Sequence, residues 1–343
     1  MAEFLTKKGR IGVIGAGSWG TTLANLLAEK GLPIDLWVFE EELFRAMQSK
    51  RENEFFLPGI SLPDNIRVTL SLEEACTGKE ILVCAVPSHV VREVFSKGRP
   101  YIQEGTLIIS ATKGLEDETY FTASQVLRDT IGRNLKAEIA CLSGPSFARE
   151  VACKFPTAVT AAAVHPEAAR QAQILLARSY FRVYTNPDPT GVELGGATKN
   201  VMAIAAGASD GLGFGHSSRS ALITRGLAEM TRLGVKMGAD ARTFFGLAGL
   251  GDMVLTCTGN LSRNRNVGLE LGKGRRLQDI LEGMRMVAEG IRTTKALRAL
   301  AREKEVEMPI TDKIYEILYE GKDPREAVIE LMSRDPRSEQ EGS

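Results

Sequence analysis

Nowhere in its 343 residues does the chain run the roughly 18 consecutive apolar residues that a membrane-spanning helix requires, so no span is expected. The opening stretch MAEFLTKKGR has no apolar signal core either and leads straight into a strand pattern. Cysteine is scarce: Cys76, Cys84, Cys141, Cys153 and Cys257 are odd in number, scattered, mostly set in apolar runs, and form no CxxC pair. That pattern argues against a disulfide framework and against metal-ligand spacing, so buried reduced thiols, no metal and a cytoplasmic location are expected. Charge of one sign is not in excess. Lys+Arg and Asp+Glu each number 43, which speaks against general binding to nucleic acid or to an anionic membrane. Internal repeats and low-complexity tracts are not evident.

The length fits about two domains. Short β-branched apolar runs alternate with helical patterns from Arg10 to about Tyr184, which predicts a parallel sheet covered on both faces. The strand candidates are Ile11 to Ile14, Ile34 to Phe39, Ile81 to Ala85, Leu107 to Ser110, Ile139 to Leu142, Ala158 to Ala162 and Arg182 to Tyr184. The turn NPDP at Asn186 to Pro189 ends this pattern, and beyond it helices follow one another to Met332. The expected architecture is therefore α/β over residues 1–188 and all-helical over 189–343, where the second domain carries the substrate chemistry. Its polar end, 333–343, reads as a frayed tail.

Gly15-Ala16-Gly17-Ser18-Trp19-Gly20 follows the first strand and opens a helical pattern, the context that makes GxGxxG informative. Gly15 permits the tight turn, Gly17 lets backbone approach a pyrophosphate, and Gly20 allows close helix packing, as in a Rossmann-like dinucleotide-binding domain. Phe39 and Glu40 close the second strand. A carboxylate there accepts from ribose hydroxyls and repels a 2'-phosphate, which leans toward NAD over NADP; alternatively the acids Glu40 to Glu42 suit the start of the next helix. Later strands run into loops holding Pro87 with Ser88 and His89, Thr112 with Lys113, and Gly144, Pro145 and Ser146, at the carboxyl ends where such sheets bind ligands. Lys113 reads either as a cation for the site or as a surface lysine. His89 reads either as a cover for the nicotinamide face or as a plain loop histidine, His165 before a Pro at a helix start reads as structural, and the role of His216 stays open.

Lys199 stands in the almost uncharged stretch Val192 to Ala208. An uncompensated ammonium in apolar surroundings costs several kcal/mol, so it pairs, snorkels out or does chemistry. The fingerprint makes it the candidate proton donor of a redox enzyme. Asp252 and Thr256, four apart, share a helix face able to orient that ammonium. Ser262 reads as an N-cap that puts Arg263 and Asn264 in a first helical turn, where N–H groups and a guanidinium suit a phosphate dianion.

Together these segments resemble the bacterial-type NAD(P)-dependent glycerol-3-phosphate dehydrogenases. The resemblance covers nearly the whole chain: GAGSWG, TKGLE, SGPSFA, GGATKNVMAIAAGASDGLGFG, ALITRGLAEM, GLGDMVLTCTGNLSRNRNVG and VAEG. It implies hydride transfer between NAD(P)H and dihydroxyacetone phosphate to give sn-glycerol 3-phosphate for phospholipid synthesis, and it allows a homodimer. Lys199 is implied as general acid and base, with Asp252 and Lys113 beside it. Lys113, Gly144, Ser146, Lys199, Asn200, Asp252, Thr256, Ser262, Arg263 and Asn264 fall at substrate positions. Ser18, Trp19, Lys113, Ala148, Arg263, Val287 and Glu289 fall at cofactor positions, joined by the fingerprint glycines, Phe39, Glu40 and Pro87. Phe39 stands where many relatives carry a basic or histidine side chain, Thr198 where an aliphatic residue is usual, and Ser217 where Asn is usual. Two other readings stay open: a two-domain hydroxyacid dehydrogenase acting on an unphosphorylated or CoA-linked substrate, and a catalytically silent nucleotide sensor.

Overall fold

The structure, a computed structural model, describes residues 10–132, 135–284, 288–336 and 338–339. The chain divides into two compact units: residues up to Thr112 with Ala123–Pro189, and Lys113–Thr122 with the chain from Thr190 onward. Continuity of the first unit through 113–122, as the local pattern predicts, is not observed. That segment packs instead with the helices, where Leu115 and Tyr120 join the apolar core. Residues 337 and 340–343 of the expected tail lie outside the described residues.

In the first unit, strands β1 (Ile11–Ile14), β2 (Ile34–Trp37), β3 (Ile66–Thr69), β4 (Ile81–Cys84), β5 (Leu107–Ser110), β6 (Glu138–Ser143), β7 (Thr157–Ala163) and β8 (Phe181–Asn186) form one sheet of order β3-β2-β1-β4-β5-β6-β7-β8. Helices α1 (Ser18–Ala28), α2 (Glu41–Lys50), α3 (Leu72–Cys76), α4 (Val91–Gly98), α5 (Ala123–Ile131), α6 (Ala148–Ala152) and α7 (Pro166–Leu176) connect them. Strand side chains alternate between faces, and both faces are buried here. Ile11, Val83 and Ile109 belong to one apolar cluster, while Ile14, Leu82 and Ile108 belong to another. That explains why these strands read as unbroken apolar runs.

Two features depart from the expected parallel sheet. β3 lacks a long apolar run; it contains Arg67, which donates to Asp35 of β2 at 2.6 Å. β7 runs antiparallel to β6, and β8 is parallel to β7. The link from β6 to β7 contains only the five-residue α6, about 7 Å long. Such a helix does not return the chain along a six-residue strand of about 20 Å. The chain therefore re-enters the sheet near the end at which it left.

The second unit carries α8 (Pro189–Gly211), α9 (His216–Lys236), α10 (Ala241–Phe244), a π-helical turn at Leu247–Gly251, α11 (Asp252–Thr258), α12 (Arg263–Gly272), α13 (Leu277–Glu282), α14 (Glu289–Glu303), α15 (Pro309–Tyr319) and α16 (Pro324–Met332). α8 is buried from Gly191 to Ser209 on every side, as its Ala/Gly-rich apolar composition allows. At Gly195 a Cβ would fall 2.6 Å from the Ala248 carbonyl oxygen, so only glycine lets the π turn close on α8. That approach delivers Asp252, the next residue after the turn, to the lysine-bearing helix. Among the described residues, no helix is long and apolar enough to cross a membrane.

Candidate active site

The first unit supplies a tight glycine turn between β1 and α1. Gly15 has φ +113°, a left-handed conformation that disfavours side chains, and a Cβ on Gly20 would lie 1.9 Å from the Gly15 carbonyl oxygen. The turn is therefore tight and α1 starts close beneath it. Gly17 has an ordinary φ of −66°, yet a Cβ there would meet nothing within 4 Å. Its missing side chain keeps space open above the start of α1, where no side-chain cap is made and no acid occupies the first turn. An open cradle before an uncapped helix N-terminus fits the pyrophosphate of a dinucleotide.

Asn53, fully buried, holds this turn from outside the motif. Its Nδ2 donates to the Ala16 carbonyl and to Thr21 Oγ1, both at 2.8 Å. No local pattern announces that role, because the partners lie 37 and 32 residues away. Ala148 accepts at its carbonyl from Thr22 Oγ1 of α1 at 3.1 Å, and Ser146 Oγ donates to the Gly144 carbonyl at 3.0 Å. Trp19 is half-buried and Pro87 exposed. Past β2, Phe39 is 76% exposed and borders a groove of about 560 Å³ shared with Trp37, Leu70, Leu72, Lys97 and Tyr101. Glu40 is exposed and makes no side-chain cap for α2, so its carboxylate is not consumed by the helix start.

The second unit supplies a buried cluster of two lysines, a carboxylate and a threonine hydroxyl. Lys199 of α8 is 7% exposed, and its Nζ donates to Asp252 Oδ1 at 2.7 Å and to Thr256 Oγ1 at 2.8 Å. Lys113 Nζ donates to Asp252 Oδ2 at 2.6 Å, so the carboxylate bridges two ammoniums. Thr256 Oγ1 lies 2.6 Å from the carbonyl of Asp252, to which it donates one helical turn back. Lys199 therefore neither snorkels nor stands unpaired. Burial pushes its pKa down to about 8; Asp252 opposes that shift and Lys113 adds to it. Burial alone would raise the Asp252 pKa, but the two ammoniums hold it below the usual carboxylate value. Asp252 consequently has no proton to give. The neighbouring Cys257 thiol is pushed up to about 12, chiefly by burial, and stays neutral.

Around this cluster the sequence-predicted residues gather at the start of α12. Ser262 is the N-cap, its Oγ accepting from Arg265 N at 3.2 Å. Asn264 Nδ2 donates to Asn200 Oδ1 at 2.9 Å, and Asn264 Oδ1 accepts from Gly290 N at 2.9 Å, which links α8, α12 and the first turn of α14. Arg263 reaches solvent in the first turn, yet partial desolvation of its guanidinium lowers its pKa, a shift that Glu289 opposes. Arg265 and Arg219 both donate to Asp210 at the end of α8, a pairing that residue spacing does not reveal. Thr198 is buried with no partner for its hydroxyl among the described residues, while Ser217 is exposed. Val287 lies outside the described residues. Four of the expected buried thiols are buried, but Cys153 is exposed, because it caps the short, surface-lying α6.

Comparison with known proteins matches both units. Residues 10–169 match the NAD-dependent glycerol-3-phosphate dehydrogenase N-terminus, and residues 188–329 match the C-terminus of the same family. A glycerol-3-phosphate dehydrogenase [NAD(P)+] of Geobacter metallireducens is 57% identical over 330 residues, covering 96% of this chain and 98% of the relative. One of the same name from Syntrophobacter fumaroxidans is 53% identical over 333 residues, covering 97% and 98%. The crystal structure of glycerol-3-phosphate dehydrogenase from Coxiella burnetii superposes with a TM-score of 0.92 at 41% identity, covering 95% of this chain and 99% of that one. Matched by both family models and at least 53% identical to the Geobacter and Syntrophobacter relatives over nearly its whole length, the chain belongs to the NAD-dependent glycerol-3-phosphate dehydrogenase family.

Proposed function

We propose that this protein reduces dihydroxyacetone phosphate to sn-glycerol 3-phosphate with NAD(P)H, and runs the reverse oxidation, with Lys199 as the general acid and base. The observation that carries this reading is the Lys199 ammonium, buried, aimed by Asp252 and Thr256, and tuned to about 8. A pKa near the working pH lets one group donate and recover a proton. The nicotinamide, when bound, supplies the hydride that enters the carbonyl carbon. Lys199 Nζ donates a hydrogen bond to the ketone oxygen, stabilises the charge that develops there and delivers the proton that completes the alcohol. Asp252 keeps the ammonium oriented and charged until that transfer. Lys113 keeps Asp252 ionised and sets how readily Lys199 releases its proton. The reading is tested by following NADH oxidation with dihydroxyacetone phosphate, with unphosphorylated dihydroxyacetone as the contrast. Absence of turnover with the phosphate ester overturns it, and equal turnover with both ketones shows that the phosphate is not recognised and favours the alternative of an unphosphorylated substrate.

Arg263, with the first-turn N–H groups of α12, is proposed to hold the substrate phosphate. Its exposure at a helix N-terminus supports that role, since a planar guanidinium pairs with phosphate oxygens bidentately. Arg263→Ala should raise KM for dihydroxyacetone phosphate by about 10- to 100-fold. An unchanged KM removes Arg263 from the phosphate site. Family resemblance supports Gly144, Ser146, Asn200, Ser262 and Asn264 as further substrate contacts, and Ser18, Trp19, Pro87, Ala148 and Glu289 as cofactor contacts.

For the cofactor we propose a preference for NAD. Glu40 offers an exposed carboxylate after β2, and the apolar Phe39 beside it gives no charge to a 2'-phosphate. Phe39→Arg should shift the NADPH-to-NADH ratio of kcat/KM upward by on the order of tenfold. A ratio that stays put refutes this assignment of the strand end. Family resemblance also supports a cytoplasmic homodimer whose product feeds phospholipid synthesis.

A further inference from the structure

Glu193 is a carboxylate buried to 5% exposure in α8, and the proton-transfer cluster does not use it. Its Oε2 accepts from Thr122 Oγ1 at 2.6 Å. Thr122 is the last residue of the ten-residue arm that leaves the sheet unit to pack with the helices, and Lys113 is the first. The arm is closed on itself: Leu115 bridges to Thr122, and Glu116 N donates to the Phe121 carbonyl at 2.9 Å. Its tip is tied to α14 by Arg292 Nη1 donating to Asp117 Oδ2 at 3.1 Å. Because the bridge pairs Thr122 with Leu115, two residues after Lys113, fixing Thr122 also restrains the segment that begins with Lys113. The tip ion pair is exposed and weak, whereas the hydroxyl–carboxylate bond is buried, where low dielectric strengthens it.

We infer that Glu193 and Thr122 form a latch that holds the 113–122 arm on α8 and thereby positions Lys113 against Asp252. Glu193 and Thr122 are positioning residues, acting through Lys113. The inference rests on the proposed role of Lys113 in tuning Lys199, and it adds the device that keeps that cation in place. A lysine side chain loses much rotamer freedom when it is held, so a fixed backbone at residue 113 lowers the cost of the 2.6 Å contact to Asp252.

The test is the pH profile of kcat/KM for ketone reduction in the full-length enzyme. Lys199 faces Asp252, Lys113 and Cys257, and of the charged pair Lys113 lowers its pKa. Thr122→Val removes the hydroxyl at nearly constant volume. It should lower kcat about tenfold and move the alkaline limb up by on the order of half a pH unit, because the second ammonium is no longer held beside Asp252. Thr122→Ser restores the hydroxyl and should restore both. On a Lys113→Ala background, Thr122→Val should add no further change in the limb. Glu193→Ala should reproduce Thr122→Val if it folds, but the threonine variants decide the question alone. If Thr122→Val lowers only Tm and leaves the limb where it was, the latch is overturned and the contact is merely structural. If Lys113→Ala itself leaves rate and limb unchanged, the reading of Lys113 falls and the latch falls with it.

Discussion

Lys199→Ala is expected to lower kcat for dihydroxyacetone phosphate reduction by about 10²- to 10⁴-fold, the range that a positioned proton donor supplies. The loss should fall on turnover and not on cofactor affinity, since the glycine cradle belongs to the other unit and needs nothing from this side chain. NADH fluorescence titration should therefore give a near-native Kd in the variant. Asp252 keeps Lys113 as a counter-ion, so the fold should survive. The sign of the pH dependence follows from the same group. Reduction requires the ammonium, so kcat/KM should fall as pH rises through about 8, whereas glycerol 3-phosphate oxidation requires the neutral amine and should rise through the same value. Normal turnover in Lys199→Ala, or limbs that move in the same direction for the two reactions, would sink the assignment.

Asp252→Ala should have the largest effect on stability. It leaves two ammoniums, one of them almost wholly buried, facing each other without the carboxylate that both contact. Removing one partner of a buried ion pair costs about 3–5 kcal/mol, because the remaining charge stays desolvated. A clear drop in Tm is expected, measured by thermal denaturation at neutral pH. Asp252→Asn retains an acceptor oxygen and should lose less. In both variants the pKa of Lys199 should fall, since Asp252 is the chief group that raises it. The alkaline limb should move to lower pH, opposite in sign to the shift expected when Lys113 is displaced. A limb at its native position in a folded Asp252→Asn enzyme would show that the carboxylate does not tune the lysine.

Much of this site is local in origin and hence readable in the chain. GAGSWG runs from the end of a strand into a helix, so the tight turn it makes follows from the residues themselves. Asp252 and Thr256 share a face through helical spacing alone, and Ser262 caps its own helix. Lys199 is conspicuous because a charge in an Ala/Gly-rich helix needs a compensating partner. The antiparallel turn at β7 was hidden because strand composition reports burial, while direction depends on the length of the connection. β3 was hidden because its four residues carry too little apolar pattern.

The chain alone determined which chemical groups are present and which of them lie on common local faces: a glycine turn before a helix, one lysine with a need for a counter-ion, and a capped helix start bearing Arg263. Tertiary structure alone decided the partners. Lys113 meets Asp252 across 139 residues, Glu193 meets Thr122 across 71, and Asn53 reaches the glycine turn across 37. No periodicity encodes such pairs. They arise when packed backbones, as at Gly195 against Ala248, bring distant polar groups into a low-dielectric interior where each must find a partner.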